Sequence, residues 1–175
     1  MTLQQPFILG FAAFSGTGKT YLLTRLIPIL KQRGLKVGLI KHSHHDFEID
    51  YPGKDSYELR AAGASPVMIV SPYRRALITE FQPLLEVHLI DQLAAFPQAD
   101  LDLILVEGFR HESFPKIELH RPSLGKELIY PNDSNIIAIA SDQPLNTTNY
   151  LPCLDLNCPQ AIAHFIFNYF FEPAS

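Results

Sequence analysis

The chain has 175 residues, of which 47% are hydrophobic and 18% charged, and its formal net charge at pH 7 is −4. This composition is typical of a globular protein, and the acidic balance excludes a broad basic face for nucleic acid or for an anionic membrane. The apolar runs are shorter than the roughly 20 residues of a membrane span, and MTLQQPFILG lacks the basic region of a signal peptide. We therefore expect a soluble cytoplasmic protein with one domain over residues 1–175.

The hydrophobic pattern predicts alternating strands and helices along the chain. In chain order it predicts a strand at 6–13, a helix at 19–33, a strand at 35–41, a polar loop at 42–54, a short helix from the Asp55–Glu58 capping box to about Gly63, strands at 65–71 and 76–81, a helix at 83–96, strands at 102–108, 116–121 and 135–141, and a helix at 159–171. Nearly all-apolar strands that alternate with helices indicate an α/β fold with a mostly parallel sheet. The pair at 65–81 is expected to form a hairpin or an edge insertion.

A phosphate-binding loop is predicted between the first strand and the first helix. Residues 13–20, AFSGTGKT, match the pattern G-x-x-x-x-G-K-[ST] except for Ala13 at the first glycine. Alanine is tolerated there if the local φ is negative. Backbone amides from Ser15, Gly16, Thr17 and Gly18 and the Lys19 ammonium are expected to hold phosphates, and the Thr20 hydroxyl to bind Mg²⁺. The expected architecture is therefore the three-layer, P-loop NTPase-like fold, with Lys19 as a catalytic residue.

Besides the loop, an acidic residue is expected near the Mg²⁺ ion. The strand DLILVEG carries Asp102 and Glu107, which lie roughly 16 Å apart at ~3.3 Å per residue. Ligands of parallel sheets bind beyond the carboxyl ends of the strands, which favours Glu107 as the catalytic and metal-site carboxylate. Asp102 is then a strand-entry residue at the opposite edge.

Asp142 is a candidate for base recognition. It follows the strand IIAIAS, where a carboxylate can accept hydrogen bonds from N1–H and the 2-amino group of guanine but not from adenine. The common guanine motif N-K-x-D is absent, and a solvated turn aspartate fits the sequence equally well.

The polar loop after the second strand contains the densest cluster of ionisable groups. Its members are Lys41, His42, His44, His45 and Asp46. The sequence is compatible with contact to substrate or γ-phosphate, with a transition-metal site at His42 and His44 or His45, and with a solvated loop. Arg110 directly follows Glu107-Gly108-Phe109 and is expected to border the same site, whereas Arg121 is interpreted as surface charge.

The last predicted helix carries apolar residues on two faces. One stripe is expected to pack on the sheet, while Ala163, Phe167 and Phe171 lie off it. Exposed phenylalanines are typical of contact surfaces, so we expect self-association. A wide apolar stripe that packs in a deep core is the alternative.

Four blocks of the chain together resemble the family of molybdopterin-guanine dinucleotide biosynthesis adapter proteins, MobB. These blocks are AAFSGTGKTYLLTRLIP, GLIKHSHHDFEIDYPGKDSYELRAAGA, LDLILVEGFR and IIAIASDQPL. The second block, with its histidines and its PGKDS segment, is far more specific than the phosphate loop.

The resemblance implies a homodimer that binds GTP and Mg²⁺ and hydrolyses GTP slowly at most. It implies an adapter that assists the guanylyltransferase attaching GMP to molybdopterin, with molybdopterin as a further candidate ligand. The block at 42–55, including Lys54 and Asp55, becomes the switch or cofactor side. A small-molecule kinase is the alternative, although residues 110–126 make a poor helical lid. A non-catalytic adapter whose nucleotide only fixes its shape is a further possibility.

Overall fold

The computed structural model describes residues 5–43, 45–145, 147 and 151–172. His44, one of the residues selected from the sequence, lies outside these ranges. The chain divides into two compact units, the first with Met1–His42 and Leu89–Ser175 and the second with Ser43–His88. In the part of the chain that the structure describes, no helix is both long and apolar enough to cross a membrane.

The elements follow the predicted alternation of strands and helices. In chain order they are β1 (Phe7–Ala12), α1 (Lys19–Gln32), β2 (Val37–Lys41), α2 (Asp55–Ala61), β3 (Val67–Val70), β4 (Arg75–Ile78), α3 (Leu89–Ala95), β5 (Leu103–Glu107), β6 (Lys116–His120), β7 (Ile136–Ser141), β8 (Cys153–Asp155) and α4 (Pro159–Phe171). Single-turn 3₁₀ helices lie at Pro122–Leu124 and Tyr130–Asn132.

The first unit is built on a six-stranded sheet in the order β2-β5-β1-β6-β7-β8. Every neighbouring pair is parallel, which confirms the predicted α/β fold with a mostly parallel sheet and flanking helices. The register pairs Phe11 and Lys41 with Glu107, and His120 with Ser141. The carboxyl ends of the strands therefore meet at one edge.

One face of the sheet is covered by α1 and α4. Their apolar stripes pack on the inward residues of the strands in a single cluster that includes Leu9, Phe11, Leu22, Leu26, Leu30, Leu105, Ile117, Ile162 and Ile166. Leu26 and Leu30 are completely buried, and burying a leucine side chain contributes about 1.5–3 kcal/mol. Helix α1 continues through Pro28, and this packing is the main force that holds it on the sheet.

The opposite face of β6 buries an unusual polar stripe. Lys116, Glu118 and His120 are all at least nine-tenths buried. The Lys116 Nζ donates to Asp133 Oδ2 at 2.8 Å, and Glu118 accepts the amides of Ile129 and Tyr130 at 2.8 Å each. The segment before β7 satisfies the polar groups of Lys116 and Glu118, which allows both side chains to be buried.

The Lys116–Asp133 pair sets the ionisation of Asp133. Burial alone would raise the pKa of Asp133, but hydrogen bonds from Lys116 and Asn135 hold it below its ordinary value.

Space for the Lys116 side chain depends on Gly10. A Cβ at this position would lie 2.9 Å from Lys116 Cγ and 2.5 Å from Phe114 Cε2.

The second unit contains the predicted hairpin, in which β3 pairs antiparallel with β4. The predicted capping box at the start of α2 is wrong in detail. Lys54 has extended backbone angles and is the N-cap, with no side-chain cap, while the Glu58 carboxylate accepts the Gly53 amide at 3.3 Å. The helix therefore starts one residue earlier than a cap at Asp55 would allow.

One helix boundary and one strand were not predicted correctly. The helix expected at 83–96 is only Leu89–Ala95, because Leu84 and Leu85 are exposed and their helical spacing has no core to pack against. Strand β8 was missed, since its three residues are too short to show a period. It forms by pairing with β7 at the sheet edge.

The α4 phenylalanines that were expected to be exposed are packed against neighbouring elements. The bounds of α4 are as predicted, but Ala163 is completely buried and Phe167 and Phe171 are half-buried. The Phe171 ring meets Phe7 edge-on at 5.2 Å, and the Arg33 guanidinium lies 5.5 Å from the Phe167 ring. The apolar stripe is wide because α4 packs against both β1 and α1, so self-association stays a prediction from the resemblance alone.

We expect Asp133→Asn to lower the free energy of unfolding by about 3 kcal/mol at pH 7, because it leaves the buried Lys116 ammonium without its counter-charge. The depressed pKa of Asp133 stabilises the folded protein at pH values above the unfolded-state pKa of about 3.9, and this stability is lost as the pH falls through the folded-state pKa. The difference in the free energy of unfolding between the wild type and the variant, measured in urea, should thus narrow from pH 5 to pH 2.

The double variant Lys116→Met/Asp133→Asn is the control for this pair. It removes both charges, so it should be more stable than Asp133→Asn alone. A double variant less stable than the single one would contradict the assigned pairing.

Candidate functional site

The segment that joins β1 to α1 forms a loop at the carboxyl edge of the sheet. Gly16 and Gly18 have φ values of 81° and 96°, which side chains other than glycine adopt at a cost. Among the described non-glycine residues only Asp100 and Phe109 have positive φ. Ala13 therefore does not need the conformation that glycine favours, and the departure from the loop pattern is tolerated.

The loop is braced from inside by Thr17. This side chain is 2% exposed, and its hydroxyl donates to the Phe14 carbonyl at 2.8 Å. Helix α1 then begins at Lys19 with Gly18 as N-cap, no side-chain cap and no acidic residue in its first turn. The positive end of the helix dipole is left without an anionic side chain on its own first turn, and Thr20 is exposed there.

Glu107 lies between two ammonium groups at the end of β5. Its Oε1 is 4.0 Å from Lys19 Nζ, and its Oε2 is 3.6 Å from Lys41 Nζ. The sheet register produces this arrangement, because β5 is flanked by β1, which leads to Lys19, and by β2, which ends at Lys41. Asp102, at the other end of β5, accepts the Lys36 amide at 2.7 Å, as a strand-entry residue should.

The backbone turns sharply after Glu107. Gly108 and Phe109 both have positive φ, at 100° and 50°, and the His42 ring stacks on the Phe109 ring at 4.6 Å. The His42 amide donates to the Glu107 carbonyl at 2.8 Å. His42 is thus a fixed part of this edge, and backbone strain at Phe109 is the kind that functional sites store.

Arg121 is the site residue that sequence analysis missed. Its Nε donates to the Thr17 carbonyl at 2.8 Å, and its Nη1 donates to Asp142 Oδ2 at 2.6 Å. Arg121 directly follows β6 and Asp142 directly follows β7, which are paired strands. The sequence does show that Arg121 and Asp142 each directly follow a strand. This position indicates a contact between them only once the strand order is known.

An open cleft of about 510 Å³ lies beside the loop. It is lined by Phe14, Arg110, His111 and residues 127–129 and 132–135. Arg110 Nε donates to His111 Nε2 at 3.1 Å, and the Arg110 and Lys126 cations each lie 6.0 Å from the Phe14 ring. The structure therefore places Arg110 next to the loop, with an aromatic and cationic wall.

The other residues of the histidine-rich segment belong to the second unit. These are His45, Asp46, Lys54 and Asp55. The Lys54 ammonium lies 5.4 Å from the Tyr51 ring. Within the described ranges no group of three His, Cys, Asp or Glu side chains is arranged to hold a metal ion. Between Arg110 and Lys126 the chain forms β6 and a 3₁₀ turn rather than the helical lid of a small-molecule kinase.

Comparison with known sequences gives one consistent result. Residues 8–142 match the family model of molybdopterin guanine dinucleotide synthesis protein B, MobB. The chain is 49% identical over 162 residues to the molybdopterin-guanine dinucleotide biosynthesis adapter protein of Escherichia coli K12, covering 91% of this chain and 90% of that protein. It is 42% identical over 164 residues to the protein of the same description from Haemophilus influenzae, covering 93% and 88%.

Solved structures share the fold. A crystal structure of molybdopterin-guanine biosynthesis protein B superposes with a TM-score of 0.68 at 26% identity, covering 94% of this chain and 99% of the other. A crystal structure of MobB from Bacillus subtilis superposes with a TM-score of 0.71 at 24% identity, covering 95% of this chain and 99% of the other.

We expect Gly108→Ala to destabilise the protein by about 2–3 kcal/mol, because it combines left-handed strain with a clash. The new Cβ would lie 2.6 Å from His42 Cβ. Gly34→Ala is the matched control, since Gly34 has a φ of 89° and nothing within 4 Å. It should cost only about 1 kcal/mol. Equal losses in urea unfolding would refute the close approach of His42.

Proposed function

This chain belongs to the MobB family, and we propose that it is a GTP-binding adapter in the biosynthesis of molybdopterin guanine dinucleotide. In this proposal it binds GTP with Mg²⁺, hydrolyses GTP slowly at most and assists the guanylyltransferase that attaches GMP to molybdopterin. The observation that carries the nucleotide site is the glycine loop, which ends in Lys19 at the carboxyl edge of the sheet.

Phosphate binding is supported by the loop and by the start of α1. The Thr17 amide donates to the Phe14 carbonyl at 3.4 Å, whereas the amides of Ser15, Gly16 and Gly18 have no acceptor among the described residues. Gly16 and Gly18 place no side chain in front of these amides, and the helix dipole adds a favourable field. The Lys19 side chain, one-fifth exposed and already beside Glu107, adds a mobile positive charge.

The residues present also fit Mg²⁺. Thr20 offers a hydroxyl on the first turn of α1, and Glu107 offers a carboxylate on the neighbouring strand end. Mg²⁺ prefers oxygen ligands and keeps several waters when nucleotide phosphates share it. Thr20 would hold the ion directly and Glu107 would hold it through a water. The ion would supply charge stabilisation on the phosphates.

Slow hydrolysis is supported by how Arg121 is engaged. An arginine that neutralises the transition state raises phosphoryl-transfer rates by ~10³–10⁵. The Arg121 guanidinium reaches the loop but is held by Thr17 and Asp142. This favours a nucleotide that sets the state of the adapter rather than fast turnover.

Guanine preference is supported by Asp142. One of its oxygens, Oδ1, is buried and has no hydrogen-bond partner among the described residues. A buried acceptor of this kind is satisfied by a ligand N–H and penalises a ligand that presents an acceptor instead.

The partners in this proposal come from the family. The relatives from Escherichia coli and Haemophilus influenzae are described as biosynthesis adapter proteins, which supports a partner enzyme of the same pathway. The homodimer, the contact with molybdopterin and the switch role of the 42–55 block are parts of the proposal supported by the resemblance.

Lys19→Ala should weaken GTP binding by roughly 10- to 100-fold in calorimetric titration, because it removes a charge-assisted contact to phosphate. The same variant should lose its stimulation of the guanylyltransferase. Lys31→Ala, at the exposed end of the same helix, is the matched control and should bind like the wild type. If Lys19→Ala stimulated the guanylyltransferase as well as the wild type does, the phosphate site would be dispensable for the adapter role. Formation of a phosphorylated small-molecule product from GTP would favour the kinase alternative instead.

Titration of GTP and ATP, with and without Mg²⁺, tests the base and metal assignments. GTP should bind at least about tenfold more tightly than ATP, because adenine would leave the buried Asp142 oxygen unsatisfied. Mg²⁺ should strengthen binding to the wild type more than to Thr20→Ala. Matching affinities for GTP and ATP would remove Asp142 from base recognition.

A further inference from the structure

The Arg121 guanidinium connects the phosphate loop to the neighbouring strand end. It donates through Nε to Thr17 and through Nη1 to Asp142. The side chains of Arg121 and Asp142 are 26% and 17% exposed, so both hydrogen bonds are largely shielded from water. Charge-assisted hydrogen bonds of this length are among the stronger ones in proteins.

The target of this arginine is the peptide bond between Thr17 and Gly18. A trans peptide is planar, so its carbonyl and its N–H point in opposite directions. Holding the Thr17 oxygen therefore fixes the direction of the Gly18 N–H, which points away from Arg121. Among the described residues this N–H has no hydrogen-bond acceptor.

Gly18 alone would not fix this orientation. Its φ of 96° is accessible because glycine has no side chain, and the same freedom lets the peptide plane rotate. Arg121 Nη2 lies 3.6 Å from the position that a Gly18 Cβ would occupy. The guanidinium thus both holds the carbonyl and lies against the glycine.

We propose that Arg121, anchored by Asp142, is a positioning residue that orients the Gly18 amide toward a bound phosphate. This inference rests on the proposed nucleotide site and adds two residues to its phosphate-binding half. It also gives Asp142 a role besides base recognition: one oxygen holds Arg121, and the other is left for the ligand. Pre-organised amides bind anions more tightly because no reorientation is needed on binding.

Tripolyphosphate separates the two roles of Asp142, since it has phosphates and no base. We expect Arg121→Gln and Asp142→Asn each to weaken tripolyphosphate binding by roughly tenfold or more in calorimetric titration. The double variant should be no weaker than Arg121→Gln, because both changes act through one peptide. If Asp142 served only the base, Asp142→Asn would leave tripolyphosphate binding unchanged, which overturns the proposal.

Arg121→Lys distinguishes positioning from charge alone. Lysine keeps the positive charge but lacks the planar guanidinium that donates in two directions. The affinity of the Arg121→Lys variant for tripolyphosphate should therefore stay near that of the Arg121→Gln variant. Full recovery with lysine would mean that only the charge matters. Arg74→Gln, an exposed change of the same type in the hairpin unit, should bind like the wild type.

Folding and the proposed function are controlled separately. Circular dichroism and the urea midpoint establish that each variant is folded, and Asp142→Asn decides the outcome if Arg121→Gln is not. A folded Arg121→Gln that binds tripolyphosphate like the wild type overturns this inference and leaves the nucleotide site intact. A wild type that binds neither GTP nor tripolyphosphate refutes the nucleotide site itself, and this inference with it.

Discussion

The parallel pairing of β1 with both β5 and β6 is the constraint on which the site depends. It forces the carboxyl ends of these strands to one edge, where the loop after β1 meets Glu107 on one side and Arg121 on the other. Because neighbouring strands are about 4.8 Å apart, side chains from different parts of the sequence come within hydrogen-bond reach. An antiparallel insertion next to β1 would separate them.

The carboxylates at this edge of the sheet are paired with cationic side chains. Glu107 lies between Lys19 and Lys41, and Asp142 is paired with Arg121. Each carboxylate holds its cationic partners in place, and under the proposed function this arrangement lowers the ordering cost of binding an anion. The overall acidic chain thus presents a local cationic site, as its net charge of −4 requires of any anion-binding surface.

The features that the sequence did not reveal concern groups whose role depends on partners distant in sequence. Lys116, Glu118 and His120 alternate with apolar residues, which alone would suit a strand with one face in water, yet they are buried. Only the segment around Tyr130 that covers them, with Asp133 as the counter-charge, makes this burial possible. Arg121 was interpreted as surface charge for the same reason, since both of its acceptors lie on other elements.

The sequence by itself determined the fold class, the glycine loop before α1 and the approximate bounds of the long elements. These depend on local signals, namely hydrophobic period, glycine placement and the Gly-Lys-Thr at the start of α1. The tertiary structure decided how wide the buried face of α4 is, how Asp142 is paired, and where the helix before β5 begins. Those outcomes depend on packing and hydrogen bonds between strands and helices far apart in the chain, and no local pattern encodes them.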